Sequence, residues 1–303
     1  MKLTINHSEI LDIASSLINE KFTGTEFVAN GADHIVSKIK TESGRNLIVK
    51  VGPNANTDGY VLKKLEGLDI KVPRFLGEAR LSQKGVAYPL VVMTCFSGSL
   101  LKDIPAEERP LYIKEIIKEF YKIRSVKSPG KAGYVLEVAS GKDYEWKEFL
   151  MRNLKGENSE FDWNKVFNFK NVNRKLLEKR IAQGKEKVIL LPDNIELSLL
   201  HTDINGANIF VRDFHLEGII DWSDAKFGDP LFDLARFRMN IRNRMDNKTL
   251  RAYFEALNLS DAELEREKTY YLLNVLDYIN WYVEYGWDDM VSVQMNLLNE
   301  ISD

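Results

Sequence analysis

His201, Asp203 and Asn208 in LLHTDINGANIF, with Asp221 in GIIDWSDAKFGDP, are side chains of the types that carry Mg²⁺-dependent phosphoryl transfer from a nucleotide. IFVR and LEGII, on either side of Asp213, Phe214 and His215, read as a β-hairpin. Folding about the point between Phe214 and His215 sets Asn208 directly opposite Asp221, with Cβ atoms about 4.5 to 5.5 Å apart. An amide oxygen and a carboxylate at that spacing suit Mg²⁺, which takes few protein ligands and completes its octahedron with phosphate oxygens and water. Asp203 shares its loop with Asn205 and Gly206. It suits the carboxylate that orients an attacking hydroxyl and accepts its proton. Alone, such an H-x-D-x-x-x-x-N pattern also fits a loop whose Asp and Asn merely cap turns. Asp221 in hairpin register shifts the balance towards chemistry. His201 is expected to be a buried hydrogen-bonding strut of the loop, not a reactant.

HTDINGANIF and IIDWSDAKFGDPLFDLA resemble the catalytic loop and metal-binding segment of the aminoglycoside phosphotransferase and choline kinase family, which shares the bilobal protein-kinase-like fold. The IDWS tetrapeptide, the acidic residue after it, the following FGD and the interval from Asn208 to Asp221 are most similar to the branch that phosphorylates hygromycin B. YYLLNVLDYINWYVEYGWDD resembles that branch's C-terminal helical region more loosely. The resemblance is specific between about residues 198 and 236. It implies an α+β fold: a small N-terminal antiparallel β-sheet lobe over residues 1–97, which binds nucleotide, and a larger, mainly helical lobe over 98–303, together forming one catalytic unit. It also implies ATP or GTP with Mg²⁺ as cofactors, Asp203 as base, Asn208 and Asp221 as metal ligands, and Trp222 in place of the Phe of the kinase DFG motif.

Such a fold needs a nucleotide-binding sheet ahead of the loop. EFVAN, HIVSKIK and NLIVKV are short β-rich runs separated by the turn signals NGAD and TESGR. In the third run Leu47, Val49 and Val51 share one face and Ile48 and Lys50 the other. That second face makes Lys50 the candidate for the α- and β-phosphates and Ile48 the one for packing on the base; the resemblance places the phosphate lysine here as well, whereas a strand Lys is otherwise commonly an edge or solvent residue. Gly31 lies where a nucleotide-covering loop is expected and fits a plain hairpin turn equally well. Asp58, Leu62 and Leu65 have the spacing of a helix facing this sheet. Most relatives carry Glu at Asp58. The shorter side chain reaches Lys50 only if the helix comes about 1 to 1.5 Å closer or a water intervenes. Otherwise Asp58 is an exposed first-turn residue stabilising its helix N-terminus. Glu66 is a less well placed competitor. YPLVVMTCF reads as a buried strand ending at SGS, where the lobes join, with backbone groups of Met93, Thr94, Cys95 and Phe96 towards the purine. Cys95, the only cysteine, is expected to be a small buried residue.

From Pro105 onward the pattern is helical: IKEIIKEFYKI, YEWKEFLMRNL and NRKLLEKRIAQ each have an apolar face. Asp229-Pro230 is a helix start. The resemblance makes Asp229 and Asp233 supports of the catalytic loop. The short interval between Asp221 and Asp229 leaves no room for a peptide-docking segment, which favours a small-molecule acceptor.

Residues 261–303 hold ten acids against two bases, interleaved with Tyr278, Trp281, Tyr282, Tyr285 and Trp287, in a chain whose net charge is −3. Acids with aromatics suit a cationic, hydroxyl-rich ligand. Asp277, Asp288, Asp289, Trp281 and Trp287 are the candidate contacts, and a solvated acidic helix over a buried aromatic stripe is the alternative. Glu263, Glu265 and Glu267 fit that alternative. No apolar run is long enough for a membrane span, and residues 1–22 read as an amphipathic helix, not a secretion signal. No basic tract points to nucleic acid. The expected protein is a cytoplasmic monomer that phosphorylates an aminoglycoside. The alternatives are a small-metabolite kinase acting on choline, an amino alcohol or a sugar, or a non-catalytic nucleotide sensor of the same fold.

Overall fold

The computed structural model describes residues 7–30, 34–83, 85–157, 162–244 and 246–301. Gly31 lies outside them. In chain order the first elements are α1 (His7–Ile18), β1 (Phe22–Asn30), β2 (Ile35–Thr41), β3 (Asn46–Val51), α2 (Ala55–Leu65), β4 (Phe75–Gln83), β5 (Val86–Thr94) and β6 (Ser99–Leu100). There follow α3 (Arg109–Ile123), β7 (Gly133–Tyr134), α4 (Val135–Ala139), α5 (Trp146–Lys155), α6 (Trp163–Phe167), α7 (Arg174–Ile189) and β8 (Ser198–Leu200). The chain ends with β9 (Ile209–Arg212), β10 (His215–Ile219), β11 (Lys226–Gly228), α8 (Leu231–Arg244), α9 (Asn247–Ala256), α10 (Asp261–Tyr285) and α11 (Asp288–Glu300).

These elements form two units, one of Met1–Asp103 with Ala207–Ala225, the other of Ile104–Gly206 with Lys226–Asp303. The division differs from a single cut at residue 97, and hydrogen bonding is the reason. β6 pairs with β9, so the hairpin flanked by Asn208 and Asp221 joins the N-terminal unit as a separate three-stranded sheet, β10-β9-β6. Ile219 N–H also donates to Lys71 O at 2.9 Å, and Gly98 N–H to the Glu217 carboxylate at 2.5 Å.

In the first unit the main sheet is antiparallel, in the order β1-β2-β3-β5-β4. The alternation in β3 sends Leu47, Val49 and Val51 into a core with Ile35, Ile39, Leu81, Leu90 and Val92, closed by Ile10 and Ala14 of α1. α2 buries Asp58, Val61, Leu62 and Leu65. Gly59 lets it press close to the strands, since a Cβ there would lie 3.2 Å from Val91 Cγ2 and 3.5 Å from Phe75.

The β9–β10 hairpin departs from the expected register. Its turn is the two residues Asp213 and Phe214, both with positive φ (50° and 62°), and His215 already pairs with Arg212. Two left-handed residues match the twist of the flanking strands. A register shift between Leu216 and Gly218 then moves the pairing again. Ile220, not Asp221, therefore faces Asn208, and its N–H donates to Asn208 O at 2.9 Å.

The second unit is mainly helical, with a small sheet in the order β7-β11-β8. α10 begins with a capping box between Ser260 and Glu263 and ends at Gly286, whose φ of 69° requires the left-handed region. Glu267 is not on a solvated face. It is fully buried, 3.0 Å from Arg238 Nε, and accepts the Tyr253 hydroxyl at 3.3 Å. No helix of the described residues is long and apolar enough to cross a membrane.

Candidate active site

Lys50 stands on the face of β3 opposite the α1 core, and only 5% of it is exposed. Its ammonium lies 2.8 Å from Asp58 Oδ2, 2.5 Å from Asp221 Oδ1 and 2.5 Å from Ser223 Oγ. The open alternative for Asp58 is thereby decided. At 1% exposure it is not a solvated first-turn residue but pairs directly with Lys50, and the close approach permitted by Gly59 makes up for the missing methylene. Burial works to lower the Lys50 pKa, but the Asp221 and Asp58 carboxylates outweigh it and hold it above the usual lysine value.

Asp58 also holds the segment around Asp221. Its Oδ1 accepts the Trp222 N–H at 2.8 Å, and its Oδ2 accepts the Ser223 hydroxyl at 2.7 Å. The residue so secured, Asp221, has φ 67°, a strained conformation for a non-glycine residue. Its side chain is 43% exposed, whereas Asn208 is buried. An amide oxygen and a carboxylate are hard donors of the kind Mg²⁺ takes, so these residues fit the metal. Met93 is buried and pairs with Ile48. Thr94 N–H donates to Arg74 O at 3.0 Å, which ties it to the neighbouring chain segment. Cys95 is half-buried, not fully buried as expected, and its thiol donates to Phe96 O at 3.2 Å. Burial raises its pKa.

In the second unit, Asp203 follows β8 in a loop held from below by Asp233. The buried Asp233 carboxylate accepts the His201 N–H at 2.6 Å and the Thr202 N–H at 2.9 Å. Thr202 has φ 63°, an outlier for a β-branched residue. Buried His201 accepts the Asp203 N–H at Nδ1, 3.2 Å away. Asp203 Oδ1 receives the Tyr278 hydroxyl at 2.9 Å and the Asn205 amide at 3.1 Å. Burial raises the pKa of Asp233 despite those donors. Asp229 behaves differently from expectation. It caps α8 through Leu231 N–H at 3.0 Å, but its other oxygen accepts from Tyr270 at 2.8 Å and Arg266 at 2.7 Å, and these two contacts tie it to α10. Burial raises its pKa too.

Of the candidate acceptor contacts, Trp281 and Trp287 are 40% and 43% exposed and meet edge to face at 5.0 Å. Asp289 is exposed. Asp277 and Asp288 are already spoken for, by Arg236 and Lys170 respectively, so their charge is partly spent. Ser223, Asn205 and Tyr278 join the site in the structure beyond the residues to which the sequence points. Ser223 sits two residues after Asp221, a spacing visible in IDWS. Nothing in the sequence shows that Tyr278, among so many aromatics, meets Asp203.

Residues 24–270 match the model of the phosphotransferase enzyme family, APH. The hygromycin-B 4-O-kinase of Escherichia coli is 21% identical over 199 residues, 63% of this chain. The match spans 55% of that relative's length. Among solved structures, a thermostable mutant of the aminoglycoside phosphotransferase APH(4)-Ia in ternary complex with ADP and hygromycin B is similar at a TM-score of 0.78, with 16% identity over 97% of each chain. Amicoumacin kinase hAmiN in complex with AMP-PNP, Ca²⁺ and Ami is similar at 0.67, with 13% identity over 98% of this chain and 94% of its own. The GDP complex of an aminoglycoside 2′-phosphotransferase-IIIa mutant reaches 0.67 with 14% identity over 97% of each.

Proposed function

This chain belongs to the phosphotransferase enzyme family, and on that premise we propose that it moves the γ-phosphate of ATP or GTP to a hydroxyl of a small cationic acceptor, an aminoglycoside such as hygromycin B. The observation that carries the proposal is the convergence of Lys50, Asp58, Asp221 and Ser223, drawn from β3, α2 and the segment after β10, on one buried ammonium. In this role Lys50 exchanges Asp221 for the nucleotide phosphates and neutralises charge that develops on them. Asn208 and Asp221 would hold Mg²⁺, which would supply charge neutralisation on the phosphate oxygens. Asp203 orients the acceptor hydroxyl and takes its proton, with His201 and Asp233 fixing the loop backbone. Asp58 positions Lys50 and the metal-binding segment.

The exposed Trp281 and Trp287, with Asp289 nearby in sequence, offer stacking and negative charge to an aminocyclitol or amino sugar. A relative named for hygromycin B and a similar structure containing it support the same acceptor class. The protein acts as a cytoplasmic monomer, where ATP and Mg²⁺ are supplied. The test is transfer of labelled γ-phosphate from Mg-ATP and Mg-GTP to hygromycin B, other aminoglycosides and choline. Labelled hygromycin B without labelled choline is the expected result. Labelled choline alone would replace the proposal with a metabolic kinase. Nucleotide binding without transfer to any acceptor would replace it with a sensor.

A further inference from the structure

We infer that Tyr278 is a positioning residue for the reaction, fixing the rotation of the Asp203 carboxylate by a hydrogen bond to Oδ1; the inference rests on the proposed role of Asp203 as base. Three observations carry it. The phenol lies 2.9 Å from Asp203 Oδ1, where the Asn205 amide also arrives at 3.1 Å. Two donors on one oxygen stop the carboxylate from turning about its terminal bond, so the direction in which its other oxygen points is set. Second, Tyr278 itself cannot move away. It is buried in the last third of α10, and its ring meets Tyr282 edge to face at 5.3 Å. Third, Arg236 on α8 lies 4.6 Å from the centre of the Tyr278 ring, and Arg236 is itself held by Asp277. A cation on the face of a phenol draws electron density from it and makes its O–H a better donor.

The arrangement also assigns Asp277 a purpose other than acceptor binding. As the partner of buried Arg236, it keeps that cation against the Tyr278 ring. Asp203 and the Arg236–Asp277 pair thus meet at one aromatic side chain. Burial, seconded by the Asp203 charge, raises the phenol pKa, so the hydroxyl keeps the proton that it donates.

The test replaces Tyr278 by Phe and, separately, by 3-fluorotyrosine, whose hydroxyl is more acidic at nearly the same size. Tyr278→Phe should lower kcat about tenfold or more, the worth of a hydrogen bond to a charged group, with KM for nucleotide and acceptor unchanged. The fluorinated protein should keep wild-type kcat, and its ¹⁹F resonance should move when Asp203 is changed to Asn. An unchanged kcat in Tyr278→Phe, or a ¹⁹F signal indifferent to Asp203→Asn, overturns the inference. If the Phe protein does not fold, loss of kcat in the fluorinated protein at constant KM counts against it instead. Absence of transfer by the wild type, with the ¹⁹F response present, would sink the transfer reading and not the contact.

Discussion

The two units solve the same problem with different materials. Each holds a functional loop in a left-handed conformation at a residue that is not glycine, Asp221 at φ 67° in the first and Thr202 at φ 63° in the second. Such residues cost about 1 to 3 kcal/mol each and persist only where the surroundings over-determine them. In both, a buried aspartate accepts backbone N–H groups beside the strained residue: Asp58 from Trp222, Asp233 from His201 and Thr202. The difference lies in what else the carboxylate does. Asp58 also binds Lys50 and Ser223, so the segment that carries Asp221 is coupled to Lys50. Asp233 spends both oxygens on main-chain donors, while Asp203 is steadied separately by Tyr278 and Asn205. Ion pairs suit the exchange of charge partners proposed for Lys50, and neutral donors suit the fixed base proposed at Asp203.

Breaking the second arrangement at its reacting group should have the largest effect. Asp203→Asn is expected to reduce kcat on the order of 10⁴-fold, about 5 kcal/mol, because the acceptor proton loses its destination. Nucleotide affinity, measured by calorimetry, should stay the same and the fold should be retained, since neutral donors can still reach the Asn oxygen. A variant with wild-type kcat would remove Asp203 from the chemistry.

Lys50→Met strikes the first arrangement and should differ in kind. It leaves Asp58 buried without its cation, and breaking a buried pair on one side costs about 3 to 4 kcal/mol. Urea denaturation should therefore show lower stability without any ligand, whereas Asp203→Asn should not. Asp221, half exposed, can turn to solvent and limits the loss. Equal stability for Lys50→Met and the wild type would mean that Lys50 is held for ligand alone, and the contrast between the units would disappear.

How much of this was legible beforehand depended on sequence distance. β3 was readable because strand alternation is local, and the core it contributes, Leu47, Val49 and Val51, follows from it. The sequence leaves the Lys50–Asp58 pair open because side-chain reach depends on helix-to-sheet spacing, which Gly59 sets through contacts with β4 and β5. The hairpin register was misplaced by two choices that composition does not show. A two-residue turn at Asp213 and Phe214 replaced a centre one residue later, and the irregularity at Glu217 shifted the upper pairs again. Glu217 has a reason to bulge, since its carboxylate accepts from Ser97 and Gly98, more than a hundred residues away. Asp277, Asp288 and Glu267 looked like open acidic charge, but each meets an Arg or Lys from another element. A count of charges cannot reveal such pairing.

Ser223 offers the finest cut between the two arrangements. It links Asp58 to Lys50 by a hydroxyl that donates to one at 2.7 Å and accepts from the other at 2.5 Å, without carrying charge itself. Ser223→Ala should cost about 1 kcal/mol of stability, the net worth of one hydrogen bond. It should leave the Lys50–Asp58 pair intact. Nucleotide affinity should weaken more in Mg²⁺ than in its absence, because the change loosens the segment that carries Asp221. An equal loss with and without Mg²⁺ would show that Ser223 serves the lysine only, and that the strained Asp221 is held by Asp58 and the Trp222 N–H without it.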